Sequence, residues 1–259
     1  MKALLETAKV LAREAGDLIR RSGSSQGRVD YKGRADLVTD IDRQAEEIIL
    51  RGIRKAYPEH AVLAEESGEN EVQSDFRWVI DPIDGTTNFV HGYPFFCVSI
   101  AVQFRQETIA AVVFDPMHDE LFSAFRGEGA FLNEKPLAVS ATNELSKALV
   151  ATGFPCRLGE RWRHSMNLFE AFYLDSHGVR RDGAAALDLC YVAAGRFDGF
   201  WEYELQPWDV AAGLLIVREA GGQTTDFQER PSGIDDRQVL ASNGRIHGEM
   251  LQVIRAHPL

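Results

Sequence analysis

The segment WVIDPIDGTTN, residues 78–88, runs from an apolar stretch into Asp81 and Asp84, with Pro82 between them and Gly85 behind. It reads as a buried strand that ends in a turn, because proline and glycine break the run and Thr86 or Thr87 suits the opening of a helix. A helix N-terminus with a glycine in the turn offers backbone N–H groups to an anion such as phosphate. Just upstream, AEESG at residues 64–68 sets Glu65 and Glu66 after a second apolar run. Carboxylates beside an anion seat would repel the anion unless a cation lay between them. Carboxylate oxygens without His or Cys partners favour a hard ion, Mg²⁺ above all, which binds through a few carboxylates, water and substrate phosphate.

The rest of the chain removes competing chemistries. Its seven histidines are scattered with no HxxxH pair, and no GxxxxGK[ST], GxSxG or HExxH pattern occurs. Zinc hydrolases, P-loop NTPases and serine hydrolases lose their footing, and metal-assisted phosphoryl transfer to water gains it. The formal charge of -11 argues against direct nucleic-acid binding, which needs a basic face. Cys97, Cys156 and Cys190 are far apart and odd in number, which fits a reduced, cytoplasmic chain. Neither a signal peptide nor a membrane-spanning segment is read anywhere in it.

With 259 residues, 45% of them hydrophobic and 26% charged, the chain has room for one large folded unit. Near its start Leu4, Leu5, Ala8, Leu11, Ala15, Leu18 and Ile19 fall at helical spacing. A second amphipathic helix carries Ile41, Ala45, Ile48, Ile49 and Ile53, opens on a capping box of Thr39 with Asp42, and ends near Pro58. From Phe95 to about Val139, short β-rich runs divided by turns predict an antiparallel meander. Beyond Ser140 strands and helices alternate: strands at ALVATGF, FDGFWEYE and VLASN, helices at RWRHSMNLFEAFYL, AALDLCYVAAG, PWDVAAGLLIVREAGG and from about Arg245. The expectation is a single compact catalytic domain over 1–259, with an α+β part at about 1–140 and an α/β part at 141–259.

Taken together, DLVTDID, AEESG, DPIDGTTNFVHGYPFFCVSIAV and WDVAAGLLIVREAGG, in this order and separation, resemble the inositol monophosphatase family of Mg²⁺-dependent, lithium-sensitive phosphatases. The resemblance spans essentially the whole chain. It implies a layered αβαβα sandwich of the inositol monophosphatase and fructose-1,6-bisphosphatase type, and a homodimer. For the metals, it implies that Glu65, Asp81 and the backbone carbonyl of Ile83 hold a first Mg²⁺, that Asp81, Asp84 and Asp209 hold a second, and that a third, weaker ion leans on Glu65. Asp42 and Thr86 match the family pair that orients the attacking water. Gly85 and Thr86 would seat the phosphate on their N–H groups, while Asp84, Gly183, Ala184, Ala185 and Glu202 match positions that meet inositol hydroxyls. Glu204, two residues on, competes with Glu202 for that role because it would share its face of a strand. Two positions have simpler readings as well: Asp209 as an acid that complements a helix dipole, and Asp42 as a capping partner.

Lys32 resembles a family lysine near the third metal, and Asp182 stands where relatives commonly carry Ser or Thr. The stretch RRDGAAALDLCYVAAGRFDGFWEYELQPWD resembles the bacterial branch, some of whose members join transcription antitermination complexes. Arg180 and Arg181 resemble an arginine pair near the dimer contact in that branch. The expected activity is hydrolysis of a small phosphomonoester, with myo-inositol 1-phosphate leading. Histidinol phosphate, fructose 1,6-bisphosphate and 3′-phosphoadenosine 5′-phosphate remain as alternative substrates, and a transcription-factor partner as an alternative role.

Overall fold

The computed structural model describes residues 1–23, 29–31 and 37–259; Lys32 lies outside them. Helix α1 (Lys2–Ser22) buries Leu4, Ala8, Leu11, Ala15 and Ile19 in one stripe, while Leu5 and Leu18 pack at its edge. Strands β1 (Val29–Tyr31) and β2 (Leu37–Thr39) pair antiparallel and lead into α2 (Asp40–Ala56). There Thr39 caps the helix: its hydroxyl accepts from the N–H groups of Ile41 and Asp42, and the Asp42 carboxylate accepts from the Thr39 N–H. The helix stops before Pro58, whose ring disfavours helical backbone in the preceding residue. Ile48 lies at the edge of the buried stripe rather than in it, and the buried set includes Glu46, which apolar periodicity could not mark.

Next come β3 (Ala61–Ala64), β4 (Gly68–Glu69), β5 (Phe76–Asp84), the short helix α3 (Thr86–His91), and β6 (Cys97–Phe104), β7 (Glu107–Asp115), β8 (Glu120–Phe125), β9 (Ala130–Leu132) and β10 (Lys135–Pro136). They form an eight-stranded sheet in the order β10-β9-β8-β7-β6-β5-β3-β4, antiparallel except for the β3/β5 pair. Trp78, Ile80, Ile100 and Val112 face α1 and α2, whereas Val79, Ala101, Ala111 and Val113 face the other way into a second apolar layer. Both faces are covered, so the meander strands are near-continuous apolar runs instead of alternating ones.

The remaining elements are β11 (Leu149–Thr152), α4 (Glu160–Asp175), β12 (Gly178–Arg180), α5 (Ala185–Ala193), β13 (Gly199–Tyr203), α6 (Pro207–Glu219), β14 (Gln223–Thr225), β15 (Gln238–Ser242) and α7 (His247–Ala256). A five-stranded mixed sheet runs β12-β11-β13-β15-β14. Helix α6 is buried at every position from Val210 to Val217, and α5 is buried nearly as completely. These two helices are apolar all round because they lie between the two sheets, sharing one core with Val79 and Val113 on one side and Phe200 and Val239 on the other. The far face of the second sheet is closed by α4 and α7 around Leu168, Phe172, Trp201 and Met250. The result is the layered αβαβα sandwich, helices and sheets alternating through five layers. None of the described helices is long and apolar enough to cross a membrane.

Candidate functional site

The C-terminal end of β5 builds the centre of the site. In a regular strand Asp81 and Asp84, three residues apart, would point to opposite faces. The pairing with β6 slips between them, from Asp81 opposite Ser99 to Asp84 opposite Cys97, across Pro82, which cannot donate to the ladder. This bulge turns both carboxylates toward one place. The Asp81 carboxylate accepts from the Ile83 N–H at 3.0 Å. Asp84 accepts from the N–H of Ala186, in the first turn of α5, at 2.7 Å, and lies 3.8 Å from the Cys97 thiol.

Glu65 sits in the turn after β3, its N–H on the Ile80 carbonyl at 3.1 Å. That turn is pinned by Glu46, which is 3% exposed and accepts from the Glu66 N–H at 2.9 Å. Asp209 lies in the first turn of α6 and accepts from the Gln206 N–H at 2.7 Å, so it serves the helix start and the site together. Burial pushes the Asp81 carboxyl well above its usual range, and the charges of Glu65, Asp84 and Asp209 push it further. Burial likewise raises Asp84 to about 7, the Ala186 N–H opposing the rise.

Gly85 follows with a left-handed φ of 94° and takes the cap position of α3, so the helix opens at Thr86 with no side-chain cap; neither Thr86 nor Thr87 is its cap. A Cβ there would stand 3.0 Å from the Phe95 carbonyl and 3.2 Å from the Ala184 Cβ, so only glycine fits the turn. The Thr86 hydroxyl lies 2.9 Å from the Ile83 carbonyl and 3.1 Å from Asp42 Oδ1. Asp42 is completely buried; burial raises its pKa, and hydrogen bonds from Thr39 and Thr86 pull against the rise. The capping partner and the partner of Thr86 are thus one carboxylate, using its two oxygens.

A cavity of about 490 Å³ gathers Glu65, Asp84, Gly85, Thr86, Gly183, Ala184, Ala185, Glu202 and Asp209 on its wall. Asp42, Asp81 and Ile83 are each 2% exposed or less, and lie beneath that wall. Asn88 ties the two sides together by donating to the carbonyls of Phe95 and Asp182, each at 2.7 Å. Glu202 packs against Gly153, where any side chain would collide with its carboxylate, and burial raises it to about 8. Glu204 departs from the strand with a φ of 63° and pairs with Arg161 at 3.1 Å, so Glu202 alone faces the cavity. Asp182 is raised by burial, against the pull of Arg180 and Arg181.

The acids are a donor set for a hard cation: oxygen ligands of one sign of charge around a seat of backbone N–H groups. Among the described residues, no three acidic, His or Cys side chains close into a ready-made metal cage. Mg²⁺ does not need one, since it keeps several waters and takes one or two carboxylates plus substrate oxygens. The residues therefore fit this ion. The sequence reading missed Glu46, Asn88 and Gly153. An acid one helical turn after Asp42, on the same apolar face, was the available signal for the first; the other two had none.

The inositol monophosphatase family model matches residues 1–259. The chain belongs to the inositol monophosphatase family. A relative named Nus factor SuhB, from Pseudomonas aeruginosa, is 44% identical, covering 99% of this chain and 97% of its own. Among solved structures, the extragenic suppressor protein suhB from Bartonella henselae superposes with a TM-score of 0.93 at 42% identity, over 97% of this chain and 98% of that one. The inositol monophosphatase from Anabaena gives 0.87 at 38% identity, over 99% and 97%.

Proposed function

We propose that this family member is a Mg²⁺-dependent phosphomonoesterase, with myo-inositol 1-phosphate as its leading substrate and myo-inositol and phosphate as products. The observation that carries the reading is the convergence of Glu65, Asp84 and Asp209, with Asp81 beneath them, on the cavity that also holds the left-handed Gly85 turn. Glu65, Asp81 and the Ile83 carbonyl would hold one ion; Asp81, Asp84 and Asp209 would hold a second. Bound there, Mg²⁺ supplies the positive charge that lets a phosphate approach the acids and lowers the pKa of water.

The chain's own groups do the rest. The Gly85 and Thr86 N–H groups seat the phosphate. Thr86, on the cavity wall, connects to buried Asp42, so a proton leaving the attacking water passes along the hydroxyl to a carboxylate whose burial favours taking it up. Glu202 and the backbone at Gly183, Ala184 and Ala185 line the same cavity as the phosphate seat and would meet the substrate hydroxyls.

The test is phosphate release from myo-inositol 1-phosphate, histidinol phosphate, fructose 1,6-bisphosphate and 3′-phosphoadenosine 5′-phosphate, with Mg²⁺, with EDTA and with Li⁺. Turnover is expected with Mg²⁺ only, fastest on the inositol ester and inhibited by Li⁺. Asp84→Asn is expected to fold and to lose at least about 100-fold in turnover. Near-parental turnover in that folded variant would refute the metal assignment.

A homodimer is part of this reading. Helix α4 exposes Met166, Tyr173 and Leu174, with Tyr173 60% exposed and stacked on Phe169. Phe169 meets Phe154, over which Arg181 lies at 5.9 Å. Sedimentation should give a dimer for the parent chain and a monomer for Tyr173→Lys; a monomeric parent would exclude it.

The full-length likeness to chains named Nus factor favours a second, compatible role as an interaction protein in transcription antitermination. Pull-down of transcription elongation factors by the parent chain, weakened by Arg181→Ala, would support it, and no capture by the parent would end it.

A further inference from the structure

Asn88, in α3, joins three segments of chain that are distant in sequence. Its Nδ2 donates to the carbonyls of Phe95 and Asp182, each at 2.7 Å. Carbonyl oxygens only accept, so the amide must turn its NH₂ group toward both, and each of its two hydrogens is then engaged. The turn that opens α3 touches the same two segments, since a Cβ on Gly85 would stand 3.0 Å from the Phe95 carbonyl and 3.2 Å from the Ala184 Cβ. Gly183 lies against the amide itself: its φ is 90°, and a Cβ there would stand 3.3 Å from Asn88 Nδ2. The start of α3, the entry to β6 and the segment 182–184 therefore meet around one side chain.

The two walls joined in this way have different duties. Gly85 and Thr86 belong to the phosphate seat, and Gly183, Ala184 and Ala185 line the same cavity where the alcohol of the substrate would be met. A second bond spans the same gap, from the Ala186 N–H to Asp84 Oδ2 at 2.7 Å. Asp84 is one of the metal donors, so a bound ion would draw on the carboxylate that holds the start of α5. Asn88 is uncharged and has no place in the donor set, so its grip on residue 182 does not depend on the ion. Contacts to the alcohol help only when the phosphorus is also in place, which makes the spacing of the two walls part of substrate binding.

We propose that Asn88 is a positioning residue for the alcohol part of the substrate: its two hydrogen bonds set the segment 182–185 at a fixed distance from the phosphate seat. This rests on the phosphatase reading and adds to it a residue that acts on the alcohol through the backbone it holds. Removing the amide should therefore loosen the grip on the alcohol and leave the grip on phosphate as it was.

The experiment uses the parent chain, Asn88→Ala and Asn88→Asp with saturating Mg²⁺, on whichever ester of the panel above the parent turns over fastest. Two quantities are read: KM for the ester, and the inhibition constant of inorganic phosphate, which reports the seat without any alcohol. Asn88→Ala is expected to raise KM about tenfold, the size of one or two ordinary hydrogen bonds, with the phosphate constant within about twofold of parental. Asn88→Asp keeps the shape and loses both donors, so its KM should rise at least as far. A parental KM in either folded variant would overturn the proposal. So would an equal rise in both quantities, or loss of fold in both variants by circular dichroism, since each would make Asn88 a merely structural residue. No turnover of any ester by the parent would instead overturn the phosphatase reading, and the role of Asn88 with it.

Discussion

Asp188, in α5, is 1% exposed, and among the described residues its Oδ1 has no hydrogen-bond partner. Burial pushes its carboxyl well above the usual range, and the negative charges of Asp182, Glu202 and Asp84 add to the rise against Arg181. Such a group keeps its proton in the folded chain at pH values where the unfolded chain has released it. The folded state then binds more protons, so this residue's contribution to stability falls as pH rises above the ordinary aspartate range. Asp188→Asn removes that dependence. In EDTA, urea unfolding is expected to find the variant close to the parent near pH 4 and more stable at pH 8. A difference that stays flat with pH would show that Asp188 is charged in the folded chain. Asp188 was not singled out in the sequence, because an acid inside an apolar helix carries no sign of what surrounds it. Asp81 and Asp84 were legible because proline and glycine mark the turn they flank. The bulge that aims them together was not, since a slip in register belongs to the pairing of two strands. The choice between Glu202 and Glu204 likewise waited on one backbone angle, the positive φ of Glu204.

At the scale of elements, what can be read is whatever has a period or a cap. The helices α1 and α2 declare themselves by apolar spacing, and the opening of α2 by Thr39 three residues before Asp42. Strands β12 and β14 have three residues each, too short for any alternation, and exist through pairing with β11 and β15. The start of α3 at Thr86 was legible but its cap was not, because a left-handed glycine stands in for a side-chain cap. The α2 cap has a consequence for stability and for the site together. Its loss in Thr39→Ala removes the hydroxyl that accepts from Ile41 and Asp42 and donates to the Asp42 carboxylate. The expected cost is about 1 kcal/mol, up to about 2. It should appear as a lower urea midpoint at unchanged slope, with Thr39→Ser retaining most of the stability. With Mg²⁺ and a phosphate ester, Thr39→Ala should also turn over more slowly, since among the described residues Asp42 then keeps Thr86 as its only side-chain donor. A parental midpoint would mean that the cap bears no weight in the folded chain.

The order of the layers is a property of the whole molecule, and the amphipathic patterns alone do not contain it. Local texture separates an antiparallel meander from the alternating strands and helices that follow, yet α5 and α6, from the later part, bury a face of the sheet made by the earlier part. Their all-round apolarity was visible as AALDLCYVAAG and AAGLLIV; which two surfaces they would separate was not. This central layer joins the two sheets through one continuous core, so neither sheet can lose α5 and α6 without exposing apolar surface on the other. The chain should therefore unfold in a single step. Trp78 reports on the α1–α2 side of the first sheet, and Trp201, stacked on Phe172 at 4.0 Å, on the α4–α7 side of the second. In a variant that keeps only Trp78, its fluorescence in urea should follow far-UV circular dichroism at every concentration, and the same should hold in a variant that keeps only Trp201. Comparing the two signals within each variant removes the effect of the substitutions on stability. A Trp201 signal that ran ahead of or behind the circular dichroism would show that the second sheet and its outer helices open on their own, and that the α5–α6 layer does not transmit cooperativity between the sheets.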